Sequence, residues 1–103
     1  MLNIFKSKSD KLAPYLESEA VIIDVRTPEE FRGGHVKNSV NIPLGKIASE
    51  VGRIKKMKKD VITCCASGMR SGNAAMILNN HGINSVNGGS WSSVQKAVRS
   101  FQK

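Results

Sequence analysis

The segment 61–71 constrains the fold of this chain more than any other, because an apolar run ends there in two adjacent cysteines. The loop that follows consists of Ala66, Ser67, Gly68, Met69, Arg70 and Ser71, and a helical pattern begins at Asn73. This order predicts a strand, a tight loop and the start of a helix. Such a loop directs backbone N–H groups inward, and together with the helix dipole they favour a thiolate over a thiol. We therefore expect the active site here, with Cys64 or Cys65 as the nucleophile.

The chain has 103 residues, which predicts one domain over residues 1–103 with residues 1–8 as a loose lead-in. Apolar runs are only a few residues long and the first residues lack the features of a signal peptide, so we expect no membrane span. Two adjacent cysteines cannot form a disulfide framework, which favours a reducing compartment such as the cytoplasm.

The net charge of +8 is unevenly distributed, since residues 61–103 contain no Asp or Glu. A cysteine site with no carboxylate close to it in sequence would suit a small anion or an acidic protein partner. The excess charge could equally serve solubility alone, and the sequence leaves both interpretations open. The basic cluster 55–59 has no interleaved aromatic residue, so we expect a solvated helix face there and no nucleic-acid binding.

Short apolar runs alternate with amphipathic segments along the chain. The predicted strands are 21–25, 38–42, 61–64 and 83–86. A first short helix would carry Leu12, Tyr15 and Leu16 on one side, with Pro14 interrupting it or setting its first turn. The apolar face of a longer helix comprises Leu44, Ile47, Ala48, Val51 and Ile54. This alternation predicts an α/β fold with a central parallel sheet covered by helices on both faces, and such sheets bind ligands at the carboxyl ends of their strands.

Local signals mark where the helices begin and end. Thr27 followed by Pro28 is typical of a helix N-cap and first position, and Glu29 and Glu30 suit that first turn. The glycines expected to end helices are Gly33, Gly34 and Gly82, and Gly88-Gly89 is expected to form a turn. The residues expected to face the core from the last two helices are Ala74, Ala75, Ile77, Leu78, Trp91, Val94, Val98 and Phe101.

The loop 65–71, Cys-Ala-Ser-Gly-Met-Arg-Ser, resembles the active-site loop of single-domain rhodaneses, Cys-x-x-Gly-x-Arg-Ser. Other family motifs match in the same order at residues 24–26, 30–31, 34–36, 41–43 and 81–91. The resemblance covers residues from about 21 to 91 and implies the rhodanese fold. Cys64 departs from the pattern, because an aromatic residue is common before the loop cysteine.

The resemblance implies that the chain is a sulfurtransferase, which moves a sulfane sulfur from thiosulfate or a similar donor to cyanide or a thiol. Cys65 would carry the sulfur as a persulfide, held by the N–H groups of residues 66–71. Arg70 would orient the dianionic donor or brace the loop through backbone carbonyls, and Gly68 would permit the turn. Ser71 is expected to cap the helix more than to touch substrate, and Met69 to lie at the pocket rim or in solvent.

The implied partners are a small anionic sulfur donor and an acceptor that is cyanide, a small thiol or a protein thiol, without a cofactor. A non-enzymatic persulfide carrier is the alternative. A cysteine-dependent phosphatase is a weaker one, because counting from Cys64 gives the spacing Cys-x5-Arg but Thr63 replaces the usual histidine. Cys64 continues an apolar strand, so we favour Cys65 and expect Cys64 to be buried.

The remaining candidates are assigned supporting roles. Asp24, Arg26 and Glu30 could act in acid–base chemistry, but persulfide transfer needs little proton shuttling. We therefore expect Asp24 and Arg26 to form a structural pair that supports the loop. Glu30 and His35 are expected to support the site in the same way. His35 and His81 have no metal-ligand spacing to the cysteines, so no metal site is predicted. On size, we expect a monomer.

Overall fold

The structure is a computed structural model that describes residues 8–102. Its helices are α1 (Lys8–Glu17), α2 (Pro28–Arg32), α3 (Leu44–Ile47), α4 (Val51–Lys56), α5 (Met69–Asn80) and α6 (Trp91–Phe101), and a 3-10 turn at Ala48–Glu50 joins α3 to α4. Its strands are β1 (Val21–Asp24), β2 (Val40–Asn41), β3 (Val61–Cys65) and β4 (Ser85–Ser90). The predicted lead-in lies outside the described residues, except that Lys8 already belongs to α1.

The four strands form one sheet in the order β2-β1-β3-β4, and every pairing is parallel. Ile22 pairs with Ile62, which pairs in turn with Val86. Parallel neighbours need crossover connections, and the helices between the strands provide them. The predicted α/β fold with a parallel central sheet is confirmed, and β3 lies at its centre.

Two apolar cores cover the two faces of the sheet, because successive strand residues point to opposite sides. One core joins the sheet to α3, α4 and α5, and its buried members include Ile23, Ile47, Ile54, Val61, Cys65 and Leu78. The other joins the sheet to α1 and α6, and its buried members are Leu12, Val36, Ile62, Cys64, Val94 and Ala97. The strand β3 is buried throughout and divides its two cysteines between these cores.

The N-terminal half departs from the predictions in three places. Pro14 neither interrupts α1 nor sets its first turn, since it lies inside the helix with Leu12 packed on the sheet below. The second strand is only two residues long, because Asn38 has a φ of +70°, a left-handed conformation that a strand cannot contain. The helix from Leu44 is divided by the 3-10 turn, and Ala48 is exposed there instead of facing the core.

In the C-terminal half, the turn predicted at Gly88-Gly89 is wrong, because both residues belong to β4. A Cβ added at Gly88 would lie 2.6 Å from Val94 Cγ2 and 2.8 Å from Ile62 Cγ2, so close packing and not a turn requires this glycine. Phe101 is exposed at the end of α6. No helix in the described range is long and apolar enough to cross a membrane.

Candidate active site

Cys65 is the last residue of β3, and the loop after it folds back so that hydrogen-bond donors meet its sulfur. The Gly68 N–H donates to Cys65 Sγ at 3.0 Å and the Ser71 N–H at 3.4 Å. The Ser71 hydroxyl donates to the same sulfur at 3.3 Å. The sulfur therefore lies at the bottom of a cradle of donors that can stabilise negative charge on it.

The cradle changes the acidity of Cys65. Burial by itself raises the pKa of the thiol. The hydroxyl of Ser71 and the N–H groups of Ser71, Gly68 and Ser67 lower it by more, so that the pKa of Cys65 is about 7. Hydrogen bonds to the charged form are the physical cause, since they replace the water that a buried thiolate would lose. A substantial fraction of Cys65 is thus a thiolate, the nucleophilic form, near neutral pH.

Gly68 sets the shape of the loop. Its φ is +106°, a conformation that glycine adopts without strain, and it is the N-cap of α5. A Cβ at this position would also lie 3.4 Å from the backbone of Gly89. The expectation that Ser71 caps the helix is wrong, because α5 already begins at Met69 and the buried Ser71 side chain turns back to the sulfur. The helix begins four residues earlier than the sequence pattern indicated, at Met69 instead of Asn73.

Asn87 is a part of the site that the sequence analysis missed. Its Nδ2 donates to the Gly68 carbonyl at 2.9 Å, and its Oδ1 accepts from the Gly89 N–H at 2.9 Å. The Ser71 Oγ lies 2.7 Å from the same oxygen, so Asn87 and the Cys65 sulfur share the single Ser71 hydroxyl proton. It lies on β4, and it pairs with Thr63 on β3. Asn87 therefore fixes both residues that donate to Cys65. A polar residue near the carboxyl end of the neighbouring strand was the signal that could have identified it.

Arg70 pairs with a carboxylate instead of bracing the loop through backbone carbonyls. Its Nη1 donates to Glu30 Oε1 at 2.8 Å and its Nη2 to Glu30 Oε2 at 3.1 Å, so the contact is bidentate. The arginine lowers the pKa of Glu30 to about 2, with help from the Thr27 N–H. Residues 61–103 contain no carboxylate, but α2 brings Glu30 from outside that segment to Arg70.

Asp24 and Arg26 form a buried ion pair beside the carboxyl end of β1. Arg26 Nη2 lies 2.8 Å from Asp24 Oδ2, and the same nitrogen donates to the Gly34 carbonyl at 2.6 Å. The guanidinium also lies 5.0 Å from the centre of the Trp91 ring. The Arg26 guanidinium thus joins β1 and the segment after α2 by hydrogen bonds, and it contacts the start of α6 through the Trp91 ring. This arrangement is a structural one, consistent with the supporting role predicted for the pair.

Cys64 faces away from the cradle into the core under α1 and α6. Burial raises its pKa to about 12, and the negative charge of Asp24 adds to the effect. A thiol that is completely buried and remains protonated is no nucleophile. The Cys-x5-Arg spacing counted from Cys64 therefore has no counterpart in the geometry, and the structure gives the phosphatase interpretation no support.

The other residues considered in the sequence are exposed to solvent. Ala66 and Ser67 are exposed, and Met69 is 80% exposed, so it lies in solvent beside the loop. His35 stacks on Phe31, and its Nδ1 lies 2.7 Å from the Phe31 carbonyl. His81 Nδ1 lies 2.9 Å from the Ile77 carbonyl at the end of α5. Both histidines are exposed and in contact with their own segments.

A sequence model for the rhodanese-like domain matches residues 8–97, which is most of the chain. This protein belongs to the rhodanese-like family. The family assignment agrees with the motifs at residues 24–26, 34–36 and 65–71, all of which lie at the same end of the sheet. It also accounts for the four parallel strands and for the cysteine at the end of the central strand.

Relatives within the family include sulfurtransferases by name. The chain is 35% identical over 65 residues to the thiosulfate sulfurtransferase PspE of Escherichia coli, covering 62% of each protein. It is 38% identical over 68 residues to the uncharacterized protein YqhL of Bacillus subtilis, covering 66% of this chain and 53% of the relative. The chain thus spans about half to two thirds of the length of these curated relatives.

A solved structure described as a rhodanese with anions from Escherichia coli superposes with a TM-score of 0.66 at 32% identity, covering 72% of this chain and 89% of that one. The arrangement of the sheet and helices is therefore that of known rhodanese structures.

Proposed function

We propose that this rhodanese-like protein is a sulfurtransferase that carries a sulfane sulfur on Cys65, with thiosulfate or a similar anion as donor. The observation that carries the proposal is the cradle, in which Ser71 and Gly68 donate to a sulfur whose pKa is about 7. The thiosulfate sulfurtransferase among the relatives and the anions in the solved rhodanese support the donor class.

In the first half-reaction, the Cys65 thiolate attacks the outer sulfur of thiosulfate. A new S–S bond forms on Cys65, the bond to the sulfonate sulfur breaks, and its electron pair leaves with sulfite. No proton is transferred, and the total charge of −3 is the same on both sides. The product is a persulfide anion, whose terminal sulfur extends beyond the present Sγ position. The N–H groups of residues 66–71 are the donors available for it.

In the second half-reaction, an acceptor attacks the terminal sulfur of the persulfide. Cyanide forms a bond to that sulfur, the S–S bond breaks with its electron pair on Cys65, and thiocyanate leaves. A thiolate acceptor would leave as a persulfide in the same way. The Cys65 thiolate is regenerated, so the enzyme needs no oxidant or reductant. Its low pKa suits this step too, because a stable thiolate is a good leaving group.

The proposal is tested by mass spectrometry together with product analysis. Incubation with thiosulfate alone should add one sulfur atom to the intact protein and release one equivalent of sulfite. Subsequent cyanide should remove that sulfur as thiocyanate. The proposal fails if thiosulfate leaves the mass unchanged and if no thiocyanate forms above a control without protein.

Two further results would distinguish the alternatives. A non-enzymatic carrier would accept sulfur only from a persulfidated protein and would not react with thiosulfate. A phosphatase would hydrolyse a generic aryl phosphate. We expect no such activity, because Cys64, the cysteine in the Cys-x5-Arg spacing, faces the apolar core and its pKa is raised to about 12.

A further inference from the structure

The ion pair between Glu30 and Arg70 lies next to the sulfur cradle. Arg70 directly precedes Ser71, which makes two hydrogen bonds to the Cys65 sulfur. About a third of each side chain is exposed, 36% for Arg70 and 37% for Glu30, so both reach the solvent from which a donor must enter. An anion that approaches Cys65 therefore meets the pair, and not an isolated guanidinium.

Glu30 is held in place independently of Arg70. Its Oε1 accepts from the Thr27 N–H at 2.9 Å and from the Thr27 hydroxyl at 3.2 Å, which completes a capping box on α2. Pro28 at the first helical position stiffens the same turn. With a pKa of about 2, the carboxylate is charged at any pH at which Cys65 reacts. A donor anion thus cannot easily displace Glu30 by moving or protonating it.

The charges of the two ion pairs near the cradle and of Cys65 can be summed. The Asp24–Arg26 pair is buried and neutral as a unit. Arg70 contributes one positive charge and Glu30 one negative charge, and reacting Cys65 adds a second negative charge. The local sum is therefore about −1 when the thiolate is ready to attack. Without Glu30 the same site would be neutral.

We propose that Glu30 is a positioning residue that acts through Arg70 and sets donor specificity, lowering the preference of the site for dianionic over singly charged sulfur donors. The inference rests on the proposed sulfurtransferase function and deepens it. Alkanethiosulfonates are the matched class of donor, because they carry the same outer sulfur with one negative charge. Attack by Cys65 on that sulfur would release a sulfinate, in the same step that releases sulfite from thiosulfate.

The test compares Glu30→Gln with Glu29→Gln. Both variants remove one negative charge from α2, but Glu29 is exposed in the same first turn and is not the residue that binds Arg70. The glutamine at position 30 retains a side-chain oxygen that can accept from the Thr27 N–H. The measurement is kcat and KM for thiosulfate and for methanethiosulfonate in each variant, and thermal melting monitors the fold.

We expect Glu30→Gln to raise the ratio of kcat/KM for thiosulfate over methanethiosulfonate by about three- to tenfold, as one charge removed at close range should. The change should lie in the KM for thiosulfate, with kcat on methanethiosulfonate within about twofold of the wild type. Glu29→Gln should change the ratio by less than about twofold, because an exposed and more distant charge is screened. Equal ratios in the two variants would overturn the inference.

A second measurement does not depend on sulfur transfer. Iodoacetate and iodoacetamide alkylate a thiolate at the same type of carbon, but only iodoacetate is charged. The ratio of their rates with Cys65 should rise about three- to tenfold in Glu30→Gln and stay nearly constant in Glu29→Gln. A change in thiol access affects both reagents, so it cancels in the ratio.

A wild type that takes sulfur from neither donor would overturn the proposed function. An unchanged alkylation ratio would overturn the role of Glu30 alone.

Discussion

Cys64 and Cys65 are neighbours on one strand, yet their thiols differ in acidity and in the groups that surround them. Both are buried, with exposed fractions of 0% and 1%. Their pKa values nevertheless lie on opposite sides of the ordinary value, at about 12 for Cys64 and about 7 for Cys65. Burial alone therefore does not determine whether a cysteine in this fold is reactive.

The difference comes from what each sulfur meets on its side of the sheet. Cys64 faces the apolar core under α1 and α6, whereas Cys65 faces the N–H groups of the loop and the first turn of α5. Successive strand residues point in opposite directions, so a shift of one residue exchanges the two environments. Register at the end of β3 thus decides which cysteine can react.

The sharpest test of this comparison exchanges one sulfur at a time. Cys65→Ser should reduce sulfur transfer from thiosulfate to cyanide by at least about 10³-fold, because a serine hydroxyl is a weak nucleophile without an adjacent base. Cys64→Ala should retain activity within about threefold of the wild type. Thiocyanate formation at pH 8 measures both. Activity retained in Cys65→Ser, or lost in a folded Cys64→Ala, would reverse the assignment of the two cysteines.

The second test removes one donor from the cradle. Ser71→Ala should raise the pKa of Cys65 by about one to two units, since a hydrogen bond to a charged group contributes about 1.5–3 kcal/mol. The rate of alkylation by iodoacetamide at pH 6 should therefore fall about ten- to a hundredfold, and recover at high pH. Ser67→Ala is the matched control, because Ser67 is exposed and only its backbone N–H acts on the sulfur. Equal pH profiles for the two variants would argue against the hydroxyl as a donor.

The third test follows the wild-type thiolate with pH. Because the pKa of Cys65 is lowered to about 7, the thiolate fraction increases as pH rises through 7. Alkylation by iodoacetamide should be about tenfold faster at pH 8 than at pH 6 and should level off above pH 8. One modified cysteine is expected by intact mass throughout this range, and none in Cys65→Ser. A midpoint near 9 would show that the cradle does not stabilise the thiolate.

The parts of this site that are local in sequence could be predicted, and the parts that join distant segments could not. The order of residues from Cys65 to Arg70 gave the nucleophile position and the glycine at the turn. The start of α2 was visible as Thr27, Pro28, Glu29 and Glu30 in four successive positions. By contrast, Arg70 and Glu30 are 40 residues apart, and only the packing of α2 beside α5 brings them together.

Two errors have the same physical origin. Ser71 has the side chain of a helix cap, but the sulfur of Cys65 and the Oδ1 of Asn87 compete for its hydroxyl proton, and these partners lie on β3 and β4. Gly88-Gly89 has the composition of a turn, but Val94 and Ile62 leave no room for a side chain above Gly88 within β4. In each case the local sequence suits either structure, and contacts with other elements determine which one forms.

The smallest expected effect is that of Cys64 substitutions on the free energy of unfolding. Cys64→Ser should lower the free energy of unfolding by about 1–3 kcal/mol, because it places a hydroxyl among the apolar side chains of Leu12, Ile62 and Val94. Cys64→Ala should cost less than Cys64→Ser, because it loses only packing. Each kcal/mol should lower Tm by about 4–8 °C in a domain of this size, so calorimetry can separate the variants. A serine that is tolerated better than alanine would indicate a polar partner for residue 64, and the contrast between the two faces of β3 would then be weaker than the structure indicates.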